Sequence, residues 1–467
     1  MTESVDSDFE IVIIGSGPAG QKAAIQGAKA GRKVLVVEQE QNVGGACVHR
    51  GTIPSKTLRE TAISLGSFVR RSGSIYKVSA QPDLQVASLM TRMEQVMLAH
   101  EKFIGEQLRR NGITKWHGRA RFASSDELEV LSVDGSIRRV RPKVFVIATG
   151  SRPRTPDDIP VDHQHILDSD SILSMRYLPR SLTVLGAGVI ASEYASIFAT
   201  LGVKVTMIDK TERPVAFLDA ELTGQFIKAF EASGGRFIGK QSAKSVAWDG
   251  TDSVVTTLES GEVIRSEKLL FALGRVANLD GLNIEAAGIK SNARGQLQVD
   301  ANCQTSIPKV YAVGDVIGPP SLASTSMEQG RRAVCHYLGI SAGVSPELIP
   351  LAVYTIPEIS TVGLGEEEAK KRYGGAIVGR ARFEELARGQ IAAIEDGLLK
   401  MVADEAGRKL VGVQIIGEGA SELIHVAQMA LMSGASIDVF IDNIFNFPTL
   451  AEAYRVAALD IAKRRPT

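Results

Sequence analysis

Two glycine-rich turns of the same design carry the strongest chemical signal in this sequence. The first turn contains Gly15, Gly17 and Gly20, and the second contains Gly186, Gly188 and Ala191 in the corresponding positions. In such a turn, backbone N–H groups and the partial positive charge at the start of the following helix bind a pyrophosphate without a cationic side chain. The spacing therefore predicts two phosphate-binding turns, each suited to one dinucleotide.

An acidic residue follows each turn at the same distance. Glu38 and Asp209 both lie 23 positions after the first glycine of their turn. A carboxylate at this place accepts hydrogen bonds from a ribose hydroxyl, which favours NAD(H) at the second turn. Lys210 and Arg213 follow Asp209 and would instead pair with the 2′-phosphate of NADP(H). The choice between the two nucleotides therefore stays open.

Each turn lies between elements that would position it. The expected strands are 9–14, 32–37, 182–185 and 203–208, and the expected helices are 21–30 and the stretch from the second turn to 201. Short apolar runs that lead through glycines into a helical pattern are typical of buried parallel strands joined by crossover helices. The chain therefore contains two copies of one strand–turn–helix–strand unit.

The rest of the chain predicts a mixed architecture. We expect a long helix at 84–110, strands within 113–148 and 254–273, a proline-rich crossing at 151–160, and then strands at 398–403 and 410–416 with helices at 420–433 and 451–463. The portion after about residue 348 contains no further dinucleotide motif. The predicted fold class is α/β, with two Rossmann-like dinucleotide-binding domains and a C-terminal α+β domain.

The composition is that of a neutral globular protein. The 467 residues include 53 Lys and Arg against 53 Asp and Glu, and 44% are hydrophobic. This balance removes a global electrostatic reason to bind nucleic acid or an acidic membrane, and no apolar run approaches the roughly 18 residues of a spanning helix. Only three cysteines occur, and residues 1–8 lack a secretory pattern. We therefore expect a reducing, cytoplasmic setting.

Together these motifs resemble the flavoprotein disulfide reductase superfamily, which includes dihydrolipoamide dehydrogenase and glutathione reductase. The resemblance covers essentially the whole chain and rests on both turns, on Glu38, and on the segments 44–56, 148–150, 312–315, 354–358 and 446–452. It implies FAD at the first turn, NAD(H) or NADP(H) at the second, and a homodimer. It also implies an FAD-binding domain (1–152 and 275–345), an NAD(P)-binding domain (153–274) and a dimerisation domain (346–467).

The resemblance further assigns roles to single residues. Asp315 would bind the ribityl chain of the flavin, although an acidic residue after a buried strand is also common in plain turns. Lys56 would lie near the flavin N5, where a cation stabilises the reduced flavin, and would pair with Glu193. The alternative interpretation is that Lys56 and Glu193 are ordinary charged residues on the surfaces of helices. Further cofactor contacts would come from Gly45, Thr52, Gly150, Gly274 and Gly314.

Two departures from the superfamily are more informative than the matches. Disulfide reductases carry two cysteines five positions apart; here the first is Cys47, but Thr52, which has no redox chemistry, stands in place of the second. The histidine that would protonate a departing thiol is replaced by Phe447, and Glu452 remains without it. The internal disulfide therefore cannot form, although every flavin and nucleotide motif is present.

This combination resembles the soluble pyridine nucleotide transhydrogenases within the superfamily, as do the segments 168–175 and 451–459. The implied reaction is a ping-pong hydride transfer between NADPH and NAD⁺ through the flavin N5. The implied reacting centre contains Lys56, Glu193, Thr52 and Cys47. Without a partner thiol, Cys47 is also interpretable as an unreactive residue in a tight turn.

Two other functions remain compatible with the sequence. Loss of the disulfide would also suit an NAD(P)H dehydrogenase that passes electrons to a quinone or another diffusible acceptor. The third is a flavin-binding regulatory protein with decayed catalysis, although the presence of Lys56 and Glu193 argues against it. No metal is expected, because Cys47 and His49 lack further ligands at a suitable spacing.

Overall fold

The computed structural model describes residues 5–72, 86–156, 158–343 and 347–466. Its strands are β1 Val5–Asp6, β2 Ile11–Ile14, β3 Val34–Glu38, β4 Thr114–His117, β5 Arg119–Phe122, β6 Leu128–Leu131, β7 Ile137–Val140, β8 Val144–Ile147, β9 Ser151–Pro153, β10 Ile166–Leu167, β11 Ser181–Leu185, β12 Lys204–Ile208, β13 Arg236–Ile238, β14 Ala243–Trp248, β15 Val254–Leu258, β16 Val263–Ser266, β17 Lys268–Phe271, β18 Arg275–Ala277, β19 Val310–Ala312, β20 Leu351–Val353, β21 Ile359–Gly363, β22 Ile377–Arg382, β23 Leu398–Ala403 and β24 Leu410–Ile416.

The α-helices are α1 Pro18–Lys29, α2 Gly45–His49, α3 Thr52–Ser72, α4 Val86–Arg110, α5 Val189–Thr200, α6 Ala220–Ala232, α7 Ala323–Tyr337, α8 Glu366–Tyr373, α9 Ala387–Ala392, α10 Ala420–Met432, α11 Asp438–Asp442 and α12 Glu452–Ala462. Within the described residues the chain divides into two compact units. The first unit is drawn from 1–57, 87–155 and 274–345, and the second unit from 58–86, 156–273 and 346–467.

The first unit is built on a parallel sheet with the strand order β19–β8–β2–β3–β4. The central strand β2 is buried throughout and pairs in register with β3, from Ile11 opposite Val34 to Ile14 opposite Val37. Continuous apolar strands of this kind are expected where helices cover a parallel sheet. Helix α1 follows β2 directly, so the first turn lies at the carboxyl end of the central strand, where nucleotides bind to such sheets.

Two smaller sheets complete the first unit. One has the order β1–β7–β6–β5, and the other is a two-stranded antiparallel ribbon of β9 and β18. Apolar side chains of β5, β6, β8 and β2 form one buried core here, with the rings of Phe122 and Phe145 in edge-to-face contact at 5.2 Å between centroids. This core supports the parallel sheet on the face away from α1.

The second unit repeats the parallel design with the order β10–β17–β11–β12–β13. Strand β11 is central and pairs with β12 from Ser181 opposite Lys204 to Leu185 opposite Ile208. Helix α5 joins the two strands and is buried from Ala191 to Ala199. The second turn therefore occupies the same place in its sheet as the first turn does in the other.

Two antiparallel sheets belong to the second unit as well. The smaller has the order β14–β15–β16, and the larger has the order β20–β21–β24–β23–β22. Strands β23 and β24 are buried along their whole length, and α10 and α12 contribute to the same core. The part of the chain after residue 348 is thus an α+β arrangement without a parallel nucleotide sheet.

The structure confirms the α/β fold class with two sheets of the Rossmann type. It differs from the sequence prediction in two stretches. Strand β17 leaves the meander expected at 254–273 and joins the parallel sheet, whereas β15 and β16 stay antiparallel. The proline-rich crossing at 151–160 begins with strand β9, because Ser151–Pro153 pairs with β18. Short strands with a similar alternation of apolar and polar residues cannot be assigned to one sheet or another from the sequence pattern alone.

Two predicted boundaries involve positions outside the described residues. The helix expected at 84–110 is present as α4 from Val86, and residues 84 and 85 are not among those described. The predicted division into three domains stays a prediction. Its last boundary, between 345 and 346, also falls outside the described residues.

Candidate functional site

The first turn presents an open helix end. Gly15 has φ of +103°, a conformation that favours glycine, and it ends β2 so that α1 can begin at Pro18. Gly17 is the N-terminal cap of α1 and has no side chain that could hydrogen-bond to this end of the helix. A Cβ built on Gly17 would meet no atom within 4 Å. The backbone at Gly17 therefore has free space beside it at the start of α1, where helical N–H groups have no partner within the helix and can bind a phosphate.

The other glycines of this turn bring backbone segments close together. A Cβ on Gly20 would lie 2.0 Å from the carbonyl oxygen of Gly15, and a Cβ on Gly15 would lie 2.4 Å from that of Ala148. Gly45, with φ of +60°, packs so closely on the turn that its Cβ would be 3.0 Å from Cα of Gly17. Gly15, Gly20 and Gly45 thus shape the turn, while Gly17 leaves room for a ligand.

Glu38 lies at the end of β3 beside the first turn and is 5% exposed. Its Oε2 accepts hydrogen bonds from the Ser16 N–H at 2.8 Å and from the Ser16 hydroxyl at 2.6 Å. Its Oε1 accepts one from the Glu40 N–H at 3.0 Å. A carboxylate oxygen can accept two hydrogen bonds, so Oε1 can still accept one from a ribose hydroxyl.

Asp315 stands at the carboxyl end of β19, next to the ends of β8 and β2 in the same sheet. Its Oδ2 accepts a hydrogen bond of 2.7 Å from Ser151 Oγ, which in turn accepts one of 2.9 Å from Arg275 Nε. Gly314, with φ of +80°, donates its N–H to the side chain of Gln329 at 2.9 Å. The carboxylate is therefore held at the sheet edge where a dinucleotide would lie.

The residues of the first unit fit the FAD predicted there. Among the described residues, the buried hydroxyl of Thr149 has no hydrogen-bond partner, although it lies at the end of β8 beside the turn. Buried hydroxyls are usually hydrogen-bonded in proteins, so the Thr149 hydroxyl is available to a dinucleotide at this end of the sheet. Gly150, the next residue, has φ of +70° and open space at its Cα. Three features of the first unit would form a cradle for a dinucleotide. They are the Thr149 hydroxyl, the free space beside Gly17 and Gly150, and the start of α1, which has no side-chain cap.

Cys47 lies in α2, and Thr52 begins α3. Burial raises the pKa of the Cys47 thiol, and a hydrogen bond from Thr52 and the charge of Lys56 offset only part of this rise. Thr52 begins α3 and Lys56 follows one turn later, with Nζ 3.4 Å from Ser55 Oγ. All three cysteines of the chain are unpaired, and Cys303 and Cys335 are buried. The group beside the Cys47 thiol is therefore a hydroxyl and not a second thiol.

The second turn has the same open geometry as the first. Gly186 has φ of +111°, and its Cβ would lie 2.7 Å from the carbonyl oxygen of Ala272. Gly188 caps α5 without any side-chain hydrogen bond, and a Cβ there would meet no atom within 4 Å. Ala191 is fully buried, so the methyl group at the third position packs inside the unit. A second uncapped helix end is thus available for a pyrophosphate.

Asp209 holds the loop after β12. Its Oδ2 accepts a hydrogen bond from the Ala187 N–H at 2.9 Å, and its Oδ1 accepts from both the N–H and the hydroxyl of Thr211 at 2.7 Å. Lys210 is exposed, whereas Arg213 is half-buried and donates from Nη2 to the carbonyl oxygens of Ala216 and Leu218. The loop therefore presents an anchored carboxylate beside the exposed Lys210. Gly274, with φ of +108°, lies between β17 and β18 and belongs to the first unit.

Glu193 is buried on α5 and 6% exposed. Its Oε1 accepts a hydrogen bond of 2.9 Å from the Tyr354 N–H, and one turn further on Ser196 Oγ accepts one of 3.1 Å from the Ile356 N–H. The segment before β21 is thus fastened to α5 within the second unit. Lys56 belongs to the first unit, and its predicted pairing with Glu193 stays a prediction.

Sequence reasoning did not single out Ser151 or Thr149 as candidate site residues. Both lie shortly after the end of β8, and the carboxyl ends of parallel strands are where such sheets bind ligands, so their position was an available signal. Arg275 of β18 hydrogen-bonds to Ser151. Phe447, at the position of the missing histidine, is 74% exposed in the single chain.

The described residues contain no cluster of three or more His, Cys, Asp or Glu that could hold a metal ion. Within the same residues no helix is both long and apolar enough to cross a membrane.

Comparison with known proteins gives a consistent family relationship. Residues 9–330 match the pyridine nucleotide-disulphide oxidoreductase family, and residues 349–458 match its dimerisation domain. The chain is 41% identical over 465 residues to the soluble pyridine nucleotide transhydrogenase of Mycobacterium bovis, covering 98% of each chain. It is 40% identical over 458 residues to that of Colwellia psychrerythraea, covering 97% of this chain and 98% of the relative.

Solved structures with the same fold are similar over nearly the whole chain. LpdA from Mycobacterium tuberculosis superimposes with a TM-score of 0.89 at 27% identity, covering 97% of this chain and 99% of that one. The flavoprotein disulfide reductase RclA from Escherichia coli, in a Cu(II) complex, gives a TM-score of 0.88 at 25% identity with the same coverage.

Proposed function

Because this chain belongs to the pyridine nucleotide-disulphide oxidoreductase family, we propose that it is an FAD-dependent transhydrogenase that transfers a hydride between NADPH and NAD⁺. The relatives named above carry the same activity in their names. The observation that carries the proposal is that Thr52, at the start of α3, stands where a disulfide reductase has its second cysteine, beside an intact dinucleotide cradle. The chain contains the glycine-rich turns and acidic residues that would bind the nucleotides. It lacks the second cysteine that a disulfide reductase needs.

The first unit would hold FAD with backbone and carboxylate groups. The open end of α1 at Gly17 would bind the pyrophosphate, and Oε1 of Glu38 would accept a hydrogen bond from the ribose. Asp315 would accept hydrogen bonds from the ribityl chain, and Thr149 would gain the partner that it now lacks. Bound FAD would supply a reversible hydride acceptor between the two nicotinamide nucleotides.

The remaining residues near Cys47 would set charge and protonation. Lys56 would contribute positive charge beside the flavin, which stabilises the anionic reduced form of the flavin. Cys47 would stay a neutral thiol at physiological pH, since burial raises its pKa, and would take no part in electron transfer. Thr52 would fill the place of the second thiol with a hydroxyl that cannot be oxidised to a disulfide.

The second turn would bind NADPH and NAD⁺ one after the other. Both nucleotides share the pyrophosphate that the open end of α5 at Gly188 would hold. Asp209 would accept the ribose hydroxyl of NAD(H), whereas Lys210 and the free edge of Arg213 would pair with the 2′-phosphate of NADP(H). A loop with both an anchored acid and nearby cations suits an enzyme that must accept both substrates.

We further propose that the enzyme acts as a homodimer in the cytoplasm. The match of residues 349–458 to a dimerisation domain supports the dimer. The three unpaired cysteines suit a reducing compartment.

Stopped-flow spectroscopy of the FAD-loaded protein tests the proposed reaction. We expect NADPH and NADH, each added alone, to bleach the flavin absorbance, and NAD⁺ added to the NADPH-reduced protein to restore it. Failure of NAD⁺ to restore the absorbance would contradict the proposal. Turnover with a quinone that far exceeds turnover with a nicotinamide analogue would instead identify a dehydrogenase with a diffusible acceptor, and no bleaching by either nucleotide would indicate a protein without catalysis.

A further inference from the structure

The two-stranded ribbon of β9 and β18 carries a chain of polar contacts in the first unit. Ser151 lies opposite Ala277 in this ribbon, and Arg275 lies opposite Pro153. The Arg275 guanidinium donates two hydrogen bonds to Ser151. Nε donates to Ser151 Oγ at 2.9 Å, and Nη2 donates to the Ser151 carbonyl oxygen at 2.8 Å. Ser151 is thereby held in both its main chain and its side chain.

The hydroxyl of Ser151 has one proton, and its partners decide where that proton points. Oγ accepts the Arg275 Nε–H, so the proton is left for Asp315 Oδ2, which lies 2.7 Å away. A guanidinium behind the hydroxyl polarises it and strengthens the hydrogen bond to the carboxylate. Within the described part of the chain, Oδ1 of Asp315 makes no hydrogen bond, so one oxygen is fixed and the other is available.

We propose that Ser151 and Arg275 are positioning residues for flavin binding, which orient the Asp315 carboxylate so that Oδ1 faces the polyol of the cofactor. This inference rests on the proposed function, because it takes Asp315 as a ligand of FAD. A half-buried carboxylate without such support would have to be ordered when the ligand binds, and that loss of side-chain freedom weakens binding. The hydrogen bonds from Arg275 to Ser151 and from Ser151 to Asp315 already order the carboxylate in the apoprotein, so less side-chain entropy is lost when FAD binds.

Reconstitution of the full-length apoprotein with FAD tests the inference, with quenching of the flavin fluorescence as the readout. We expect Ser151→Ala to raise the FAD dissociation constant about tenfold, the loss typical of one hydrogen bond to a charged group. Ser151→Thr keeps the hydroxyl and should restore most of the affinity. Arg275→Gln should weaken binding by a smaller factor, because the hydroxyl can still reach Asp315.

Arg152→Gln is the matched control. Arg152 lies next to Ser151 in the same strand, but its guanidinium pairs with Asp280 at 2.6 Å and does not contact Ser151 or Asp315. We expect this variant to bind FAD as the unmodified protein does. Circular dichroism and the apoprotein melting temperature establish that each variant is folded.

A double-mutant cycle separates positioning from a general structural effect. In the Asp315→Ala background, Ser151→Ala should change the FAD dissociation constant less than twofold, because the carboxylate that it orients is gone. Equal effects of Ser151→Ala with and without Asp315, or no effect in either, would overturn the inference. If the unmodified chain bound no FAD, the proposed function itself would fail. If Asp315→Ala weakened FAD binding while the Ser151 and Arg275 variants bound FAD normally, only the positioning role of Ser151 and Arg275 would be refuted.

Discussion

The side chains of Cys47 and Thr52 decide which chemistry the first unit can perform. A dithiol passes electrons by making and breaking an S–S bond, and a hydroxyl has no such reaction. Because burial raises the pKa of Cys47, its neutral thiol predominates at physiological pH and is a poor nucleophile. With Thr52 in this place no internal disulfide can form with Cys47, so the proposed flavin would exchange electrons with the nicotinamide nucleotides alone.

This environment predicts slow alkylation of Cys47. At pH 8, iodoacetamide should react with the native protein more slowly than with free cysteine, and the rate should keep rising as the pH passes 9, since only the thiolate reacts. Thr52→Val should slow the reaction further, because the hydrogen bond from Thr52 favours the thiolate. Peptide mapping identifies the labelled site, with Cys47→Ser as the control, and rapid labelling at neutral pH would contradict the raised pKa.

At the scale of elements, the two glycine-rich turns combine glycines with different tasks. Gly20 lets α1 approach β2, since a Cβ there would lie 2.0 Å from the Gly15 carbonyl oxygen. Gly17 and Gly188 have ordinary φ values of −66° and −73° and open space around them. Gly20 is therefore needed for the packing of the fold, whereas Gly17 and Gly188 leave room for a ligand.

These tasks predict opposite outcomes for the same substitution. Gly17→Ala should leave the apoprotein melting temperature nearly unchanged but abolish tight FAD binding, because the methyl group fills the space of the phosphate. Gly20→Ala should lower the melting temperature or prevent folding, because the backbone carbonyl of Gly15 cannot move aside.

Gly188→Ala extends the test to the second turn. It should retain FAD and raise the KM for NADPH and NADH together, because the pyrophosphate is common to both. Thermal melting, flavin content and steady-state kinetics measure the three variants. Retention of FAD by Gly17→Ala would contradict the assignment of the first turn.

At the scale of the whole molecule, a buried ionic cluster ties distant parts of the second unit together. Lys400 of β23 is 3% exposed, and its Nζ lies 2.8 Å from Asp219, 3.2 Å from Glu221 and 2.7 Å from Glu366. These carboxylates lie at the starts of α6 and α8. Although burial opposes its ionisation, Lys370 and Lys400 lower the pKa of Glu366 from its usual 4.5 to about 2.

The lowered pKa predicts a loss of stability in acid. An unfolded chain protonates Glu366 near pH 4.5 and the folded chain only near pH 2, so the stabilisation is present above about pH 4.5 and is lost as the pH falls toward 2. The free energy of unfolding in urea, measured from pH 6 to pH 3, should fall less steeply for Glu366→Gln than for the unmodified chain. Glu367→Gln, whose side chain is 79% exposed, is the control and should keep the original slope. An unchanged slope in Glu366→Gln would contradict the shift.

The exposed apolar face of α10 predicts where two copies meet. Val426, Met429 and Met432 recur every three residues and are 40%, 63% and 61% exposed, within the stretch that matches a dimerisation domain. Light scattering after size exclusion should give a mass near twice the 50.0 kDa of the chain. Met429→Glu combined with Met432→Glu should shift the mass toward one chain, whereas Val133→Glu, at an exposed apolar residue of the first unit, should not. A single-chain mass for the unmodified protein would contradict the dimer.

The sequence by itself determined the two phosphate-binding turns, the acids that follow them, the crossover helices and the loss of the second thiol. These features are local, because a glycine spacing, a helix start or a missing cysteine acts within about 25 residues along the chain. The repeated pattern also predicted two parallel sheets, since a strand, a crossover helix and a second strand form a parallel pair almost regardless of the rest of the fold.

Only the tertiary structure decided how distant residues support these turns. Ser151 meets Asp315 across 164 residues, the Tyr354 N–H reaches Glu193 across 161, and Lys400 joins Asp219 across 181. The same holds for β17, which leaves its neighbours in the chain and joins a parallel sheet. Such contacts depend on how complete sheets and helices pack, and the pattern of neighbouring residues does not contain that information.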